Sequence, residues 1–326
     1  MSDQVVITSQ SQVTIDVDQF SNGLTTFLGD LGLPINQVLV PVTERARVIN
    51  NLPDVITLIE NGQRENSIYL SKFIAACGAG LFDAALNFIW DETVVNLRNK
   101  VIRFDIQYFY DSVVTDESRR KKLNDENDLV KIEEWELVRG CHLTGILSDI
   151  GFKHLDYIRD MRNWASAAHP NQNELTGLQL ITWLETCIKE VIGKEPEGVA
   201  IEIKRFLGNI RNNVLSSTDA DHIIVALEHM PQDLGTSLLR TLFGMYTAPN
   251  ASVQVKSNIR LICKKSWSIA QDSVRFECGL KYATYASNGE VLRKDAANDF
   301  LTIVGGLPYL PQDTISPTRY LICGVI

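Results

Sequence analysis

The stretch Tyr157-Ile-Arg-Asp-Met-Arg-Asn-Trp-Ala-Ser-Ala-Ala-His-Pro170 decides how the chain is read. Tyr157, Met161, Trp164 and Ala168 recur at i, i+4, i+7 and i+11, the stripe that a core-facing helix presents. Arg162 and His169 are seven residues apart (169 − 162). At about 100° per residue that is about 700°, so both side chains leave one face, two turns apart. The apolar stripe does not use that face. Ile158, Ala165 and Ser166 surround it with small or apolar groups, so a second helix or a ligand can approach and exclude water. A cation and a titratable imidazole in a shielded notch suit phosphate chemistry.

Helices are expected on both sides of this stretch. Upstream, Gly80-Leu-Phe-Asp-Ala-Ala-Leu-Asn-Phe-Ile-Trp-Asp-Glu-Thr93 belongs to a strong helical pattern that begins at Ser67 and, with a bend at the glycines, runs to about Tyr110. Residues 116–134 carry dense charge of both signs and read as a solvated connection. A helix over 133–150, ended by Gly151, precedes the motif helix at about 154–169. Asn173 is a plausible cap for the closing helix, which ends near Gly193. Residues 1 to about 40 alternate weakly (Val5-Val-Ile-Thr, Val13-Thr-Ile-Asp-Val17) and read as a short strand or a loose arm. Two short helices follow, one after Thr43 and one from Pro53 to Glu60.

Lys194-Glu-Pro-Glu-Gly198 combines proline, glycine and charge after a long helix and is the best boundary in the chain. Beyond it, periodic segments at 199–214, 219–229, 231–246, 252–265, 271–286 and 292–304 predict antiparallel helices, with a small solenoid-like stack as one arrangement. An extended tail with Pro308, Pro311 and Pro317 closes the chain. The expected fold class is therefore all-α. The expected organisation is 1–66 as an arm with short helices, 67–195 as a helical bundle, and 196–326 as a second helical domain.

The formal net charge is −9, which argues against a general nucleic-acid coating protein and requires any RNA contact to be local. Cys77, Cys141, Cys187, Cys263, Cys278 and Cys323 occur singly, without CxxC or zinc spacing, so buried free thiols are expected and no metal site or cofactor is implied. Residues 73–90 are the one apolar run long enough to consider as a membrane span. Asp83 within it, and Asp91-Glu92 directly after it, favour a buried core helix. The start, Met1-Ser-Asp-Gln, carries no secretory pattern, and a cytoplasmic location without membrane contact is expected. No P-loop, GxGxxG, GxSxG or HExxH pattern occurs.

Arg162-Asn163, five residues and then His169 resembles the Arg-polar-(four to six residues)-His signature of the HEPN superfamily, the all-helical domain of many RNA-cleaving toxins and defence effectors. The upstream and closing helices resemble those that such domains pack against the motif helix, so the likeness covers roughly 67–193; Pro170 departs from the small residue more usual there. The resemblance implies a metal-independent endoribonuclease, in a toxin or antiviral defence setting, with RNA as substrate. Arg162 would hold phosphoryl charge, His169 would move the proton, and Asn163 and Ser166 would bind or orient substrate. It also implies a homodimer through the motif helix, with Ala165 and Ser166 at the close approach, and a possible regulatory protein partner. The alternative is a non-catalytic helical dimerisation or interaction module. Asp83, Asn87, Asp91 and Glu92 are candidates to brace Arg162, since a buried cation needs a partner. The run Arg119-Arg-Lys-Lys122 is a candidate guide for an RNA backbone.

Overall fold

A computed structural model describes residues 10–165, 175–196 and 198–311. Among these residues every regular element is helical and no strand occurs. The chain divides into two compact units. Unit 1 takes residues 1–100, 133–138 and 147–195; unit 2 takes 101–132, 139–146 and 196–326. The segment 67–195 thus contributes to both.

Unit 1 begins with α1 (Gln10–Asp30) and α2 (Val42–Ile56). The expected strand or loose arm is instead helical at α1. Val17 is buried, Ser21, Leu24 and Leu28 are half-buried, and this i, i+4, i+7, i+11 stripe packs on α2 and α4, so tertiary burial overrides β-leaning local propensity. Pro53 does not start a new helix but sits inside α2. Val48, Leu52 and Val55 are buried on both sides of it, and that continuous stripe offsets the backbone bond a proline removes. After the short turn α3 (Asn61–Arg64), α4 (Ile68–Ala79) ends at Gly80, which is left-handed with φ +83°. A Cβ there would collide with the buried Arg45 guanidinium. The long α5 (Phe82–Phe104) then crosses the core with Phe82, Leu86, Ile89, Trp90 and Leu97 all buried.

The charged connection is more structured than expected. It holds α7 (Glu117–Arg120) and a 3-10 turn over Glu126–Lys131, and α6 (Ile106–Val113) precedes it. Helix α8 (Glu134–Leu143) stops early, because Gly145 adopts φ +77°. Gly151 does not end a helix; it lies in the first turn of α9 (Asp149–Ala165), where a Cβ would meet the Glu190 carboxylate. Thr176 caps α10 (Gly177–Cys187) through a capping box with Gln179. Asn173, the expected cap, lies outside the described residues.

Unit 2 is completed by α11 (Val199–Asn212), α12 (Ser217–Glu228), α13 (Gln232–Thr247), α14 (Val253–Ile269), α15 (Asp272–Ser287) and α16 (Val291–Val304). These follow the expected segments closely. They do not stack only on sequence neighbours, however, because α13 is central and touches α6, α14, α15 and α16. Its buried Leu234, Leu239 and Phe243 on one side and Ser237, Thr241 and Thr247 on the other surround the helix axis, the signature of an element enclosed on all sides. Phe300 of α16 packs edge-on against both Phe243 and Tyr246.

Candidate functional site

The residues that place the site come from three helices of unit 1. On α9 the buried positions are Gly151, Leu155 and Ile158, and Arg162 continues that line at i+11 from Gly151. Its exposed large apolar residues are Ile150, Tyr157 and Trp164, at 66%, 52% and 46%, with the Tyr157 ring edge-on to Trp183 of α10. The expected orientation is therefore reversed: the Arg162 face is the inward one, and the Tyr157/Trp164 stripe is about half exposed at the surface. The physical reason is that α9 carries two apolar stripes, and the one with Leu155 and Ile158 wins. Aromatic Tyr157 and Trp164 tolerate a wet surface better than branched aliphatics do.

Facing inward, Arg162 needs a counter-charge, and Glu134 at the start of α8 supplies it. Arg162 Nη2 donates to Glu134 Oε1 at 3.0 Å and to Oε2 at 2.9 Å. Trp90 is fully buried on α5, and its Nε1–H donates to Glu134 Oε2 at 2.8 Å. The guanidinium carbon stands 6.0 Å from the centre of a Trp90 ring, within cation–π range. Arg162 Nη1 donates to Asn163 Oδ1 at 2.9 Å. Arg162 Nε is buried without a hydrogen-bond acceptor among the described residues.

Of the four upstream candidates for the brace, none bonds Arg162. Asp83 is exposed, Asn87 donates back to the Asp83 carbonyl, and the buried Glu92 accepts from Asn96 at 2.9 Å. Asp91 belongs to the same electrostatic neighbourhood. Burial pushes its carboxyl above the ordinary aspartate value, Arg162 pulls it back, and Glu134 pushes it up again. Sequence reasoning missed Glu134. The only available signal was the acidic run Glu133-Glu134-Trp135-Glu136, within which nothing marks the middle glutamate. Glu136 instead accepts the Glu133 backbone N–H at 3.0 Å, and Glu133 accepts from the Trp135 indole at 2.6 Å.

Ser166 and His169 lie outside the described residues, so the structure brings Arg162 and Asn163 together and leaves the other half of the motif undescribed. Arg119-Arg-Lys-Lys122 is largely turned back on its own unit. Arg120 is tied to Asp111 at 2.7 Å, Gln107 at 2.7 Å and the Leu123 carbonyl at 2.7 Å. Lys121 pairs with Glu117 at 3.1 Å. Five cysteines are buried as free thiols, and burial pushes Cys187 and Cys278 up to about 12. No group of three metal-binding side chains occurs among the described residues, and none of their helices is long and apolar enough to cross a membrane. No family model matches the chain, and no curated protein or solved structure matches it either.

Proposed function

We propose that the chain is a HEPN-type endoribonuclease that cuts RNA by internal transesterification, with Arg162 as its charge-stabilising group. The observation that supports this is the fixed guanidinium. Arg162 is held by Glu134, which is itself held by the Trp90 indole, so the cation is oriented before any substrate arrives. Preorganised donors of this kind cost no reorganisation as charge develops on phosphoryl oxygens. In the proposed reaction the ribose 2′-oxygen attacks the adjacent phosphorus and the P–O5′ bond breaks. His169 serves the proton transfer, and Arg162 stabilises the charge on the non-bridging oxygens. Glu134 acts as a positioning residue. A toxin or antiviral defence role and a regulatory protein partner belong to the same proposal through the resemblance alone.

The test is incubation of the purified full chain with total RNA, with and without EDTA, followed by analysis of the ends. Cleavage that survives EDTA and leaves a 2′,3′-cyclic or 3′-phosphate and a 5′-OH is the expected outcome. Ends bearing 5′-phosphate, or equal cleavage of DNA, would sink the proposal. The second reading is a non-catalytic interaction module. The net charge of −9 favours it, since an acidic surface repels a phosphate backbone.

A further inference from the structure

A surface within residues 16–38 is not used by the proposed chemistry. Phe20, Phe27 and Leu31 recur at i, i+7 and i+11 along α1 and into its end, within about 20° of one line on the helix. Phe27 and Leu31 are 60% and 57% exposed. This line lies beside the Val17 stripe that packs on α2 and α4, so the chain covers one edge of the apolar face of α1 and leaves the other open. Leu33, Ile35 and Val38 are exposed directly after the helix. The segment is held at both ends. Gly32, left-handed at φ +70°, donates its N–H to the Gly29 carbonyl, and Leu33 donates to the Leu28 carbonyl, each at 2.9 Å. This Schellman end fixes where Leu31 and Leu33 leave the helix. At the far end the Val40 N–H donates to the Gly80 carbonyl at 3.0 Å, and the Val40 carbonyl accepts from the buried Arg45 at 2.6 Å. The apolar surface is thus formed before any partner arrives, which lowers the ordering cost of binding.

Charge selects the partner. Asp3, Asp16, Asp18, Asp30 and Glu44 occur between Met1 and Glu44, and no Lys, Arg or His does. Asp16 and Asp30 are exposed and fourteen residues apart (30 − 16). At about 100° per residue they lie about 40° and about 80° to the same side of the Phe20 line, and at about 1.5 Å per residue they bracket it over about 21 Å. Asp30 stands in the last turn of α1, which holds no basic residue, although that end of a helix favours a cation. An acidic apolar face repels a phosphate backbone and an anionic lipid surface. Two copies meeting through this face about a two-fold axis would set acid against acid. What the face fits is an amphipathic helix of about four turns with a basic flank.

We infer that the open edge of α1 and the segment 31–38 dock a basic amphipathic helix of another protein, its apolar stripe on Phe20, Phe27 and Leu31 and its Lys or Arg residues opposite Asp16 and Asp30. The inference does not rest on RNA cleavage. The probe is a synthetic helical peptide of about 18 residues, about 27 Å long, with leucine along one stripe and lysine elsewhere, titrated calorimetrically into the full chain. It should bind saturably, one peptide per chain. Phe27→Glu and Leu31→Glu should each weaken binding about tenfold or more, although each makes the protein more acidic, with thermal unfolding unchanged. Asp30→Lys should weaken it too, and should create binding to the same peptide carrying glutamate in place of lysine. Val253→Glu, at an exposed apolar residue of unit 2, should leave binding unchanged. Absence of saturable binding would overturn the inference. Binding indifferent to both Phe27→Glu and Leu31→Glu would also overturn it, leaving attraction by net charge alone. Self-association abolished by Phe27→Glu would assign the face to a second copy, and attachment to phosphatidylcholine vesicles lost in that variant would assign it to a lipid surface. Saturable peptide binding that appears only in Ile7→Glu would assign it to the chain's own first residues. Each of these three outcomes overturns the protein partner.

Discussion

Two arginine–glutamate pairs, one in each unit, look alike in composition and differ in how the guanidinium is used. In unit 2, Arg240 of α13 gives both Nε and Nη2 to Glu277 of α15, at 2.9 Å and 2.8 Å to Oε2. Lys281 adds a second cation at 3.2 Å. The side chains are 15% and 23% exposed, and the result is a tie whose fork is filled. In unit 1, Arg162 gives only Nη2 to Glu134, its Nε has no acceptor among the described residues, and the Glu134 side chain is 37% exposed. The first arrangement is a side-on, two-nitrogen pair and is more shielded. The second orients its cation while leaving the carboxylate partly open to water. The difference teaches that an inward-facing arginine is a candidate for chemistry when its pairing is incomplete, and a fold element when it is closed.

The largest expected effect tests the open pair. Arg162→Ala should lower RNA cleavage by about 10²–10³ and His169→Ala by about 10²–10⁴. For Arg162→Ala the melting midpoint should move much less than for the corresponding unit 2 substitution. Wild-type cleavage, or global unfolding of Arg162→Ala, would erase the contrast between the two arginines.

Next, Arg240→Ala should cost about 3 kcal/mol in denaturant unfolding, because it strands a shielded carboxylate. Glu277→Gln sharpens the same point through pH. Burial pushes the Glu277 carboxyl up, but Arg240 and Lys281 outweigh it and leave the group below its ordinary value of 4.5. A carboxyl lowered on folding contributes stability that is present above the unfolded value and is lost as pH falls through the folded one. The stability gap between wild type and Glu277→Gln should therefore be full at neutral pH and shrink below pH 4.5. A gap independent of pH would show that the pair is not electrostatic.

A smaller effect is expected at Trp164. Exposed as it is, Trp164→Ala should cost about 1 kcal/mol or less, measured by thermal unfolding of the dilute protein. A loss of about 3–5 kcal/mol, the usual cost at a buried tryptophan, would put α9 back in the orientation its aromatic stripe suggests. Smallest of all is thiol labelling. Cys77, Cys141, Cys187, Cys263 and Cys278 should stay unmodified by iodoacetamide in the native state and react once denaturant is added. Rapid native labelling of any of the five would contradict its burial.

What could be read in advance follows from how many solutions each segment allows. The helices of unit 2 other than the enclosed α13 are amphipathic, and all are separated by caps such as Ser216, Pro231 and Ser252, so periodicity and punctuation agree. Helix α9 carries two stripes, and choosing between them needs the partner surface, which no local pattern contains. Glu134 was hidden for a related reason: its value comes from an indole 44 residues upstream and a guanidinium 28 residues downstream. Helix α1 shows the converse, since alternating β-branched residues suggested an extended arm until burial against α2 and α4 decided otherwise.

The position of α6 also carries a consequence for synthesis. Its Tyr108, Phe109 and Tyr110 are buried and the helix rests on α13, with Asp111 accepting from Thr241 across a sequence gap of 130 residues. At about 5–20 residues per second, a ribosome takes roughly 6–26 s to cover that distance. Throughout that interval the face of α6 that α13 will cover stays open, which makes the nascent α6 a natural handhold for a chaperone and a segment exposed to misassembly if translation stalls before α13.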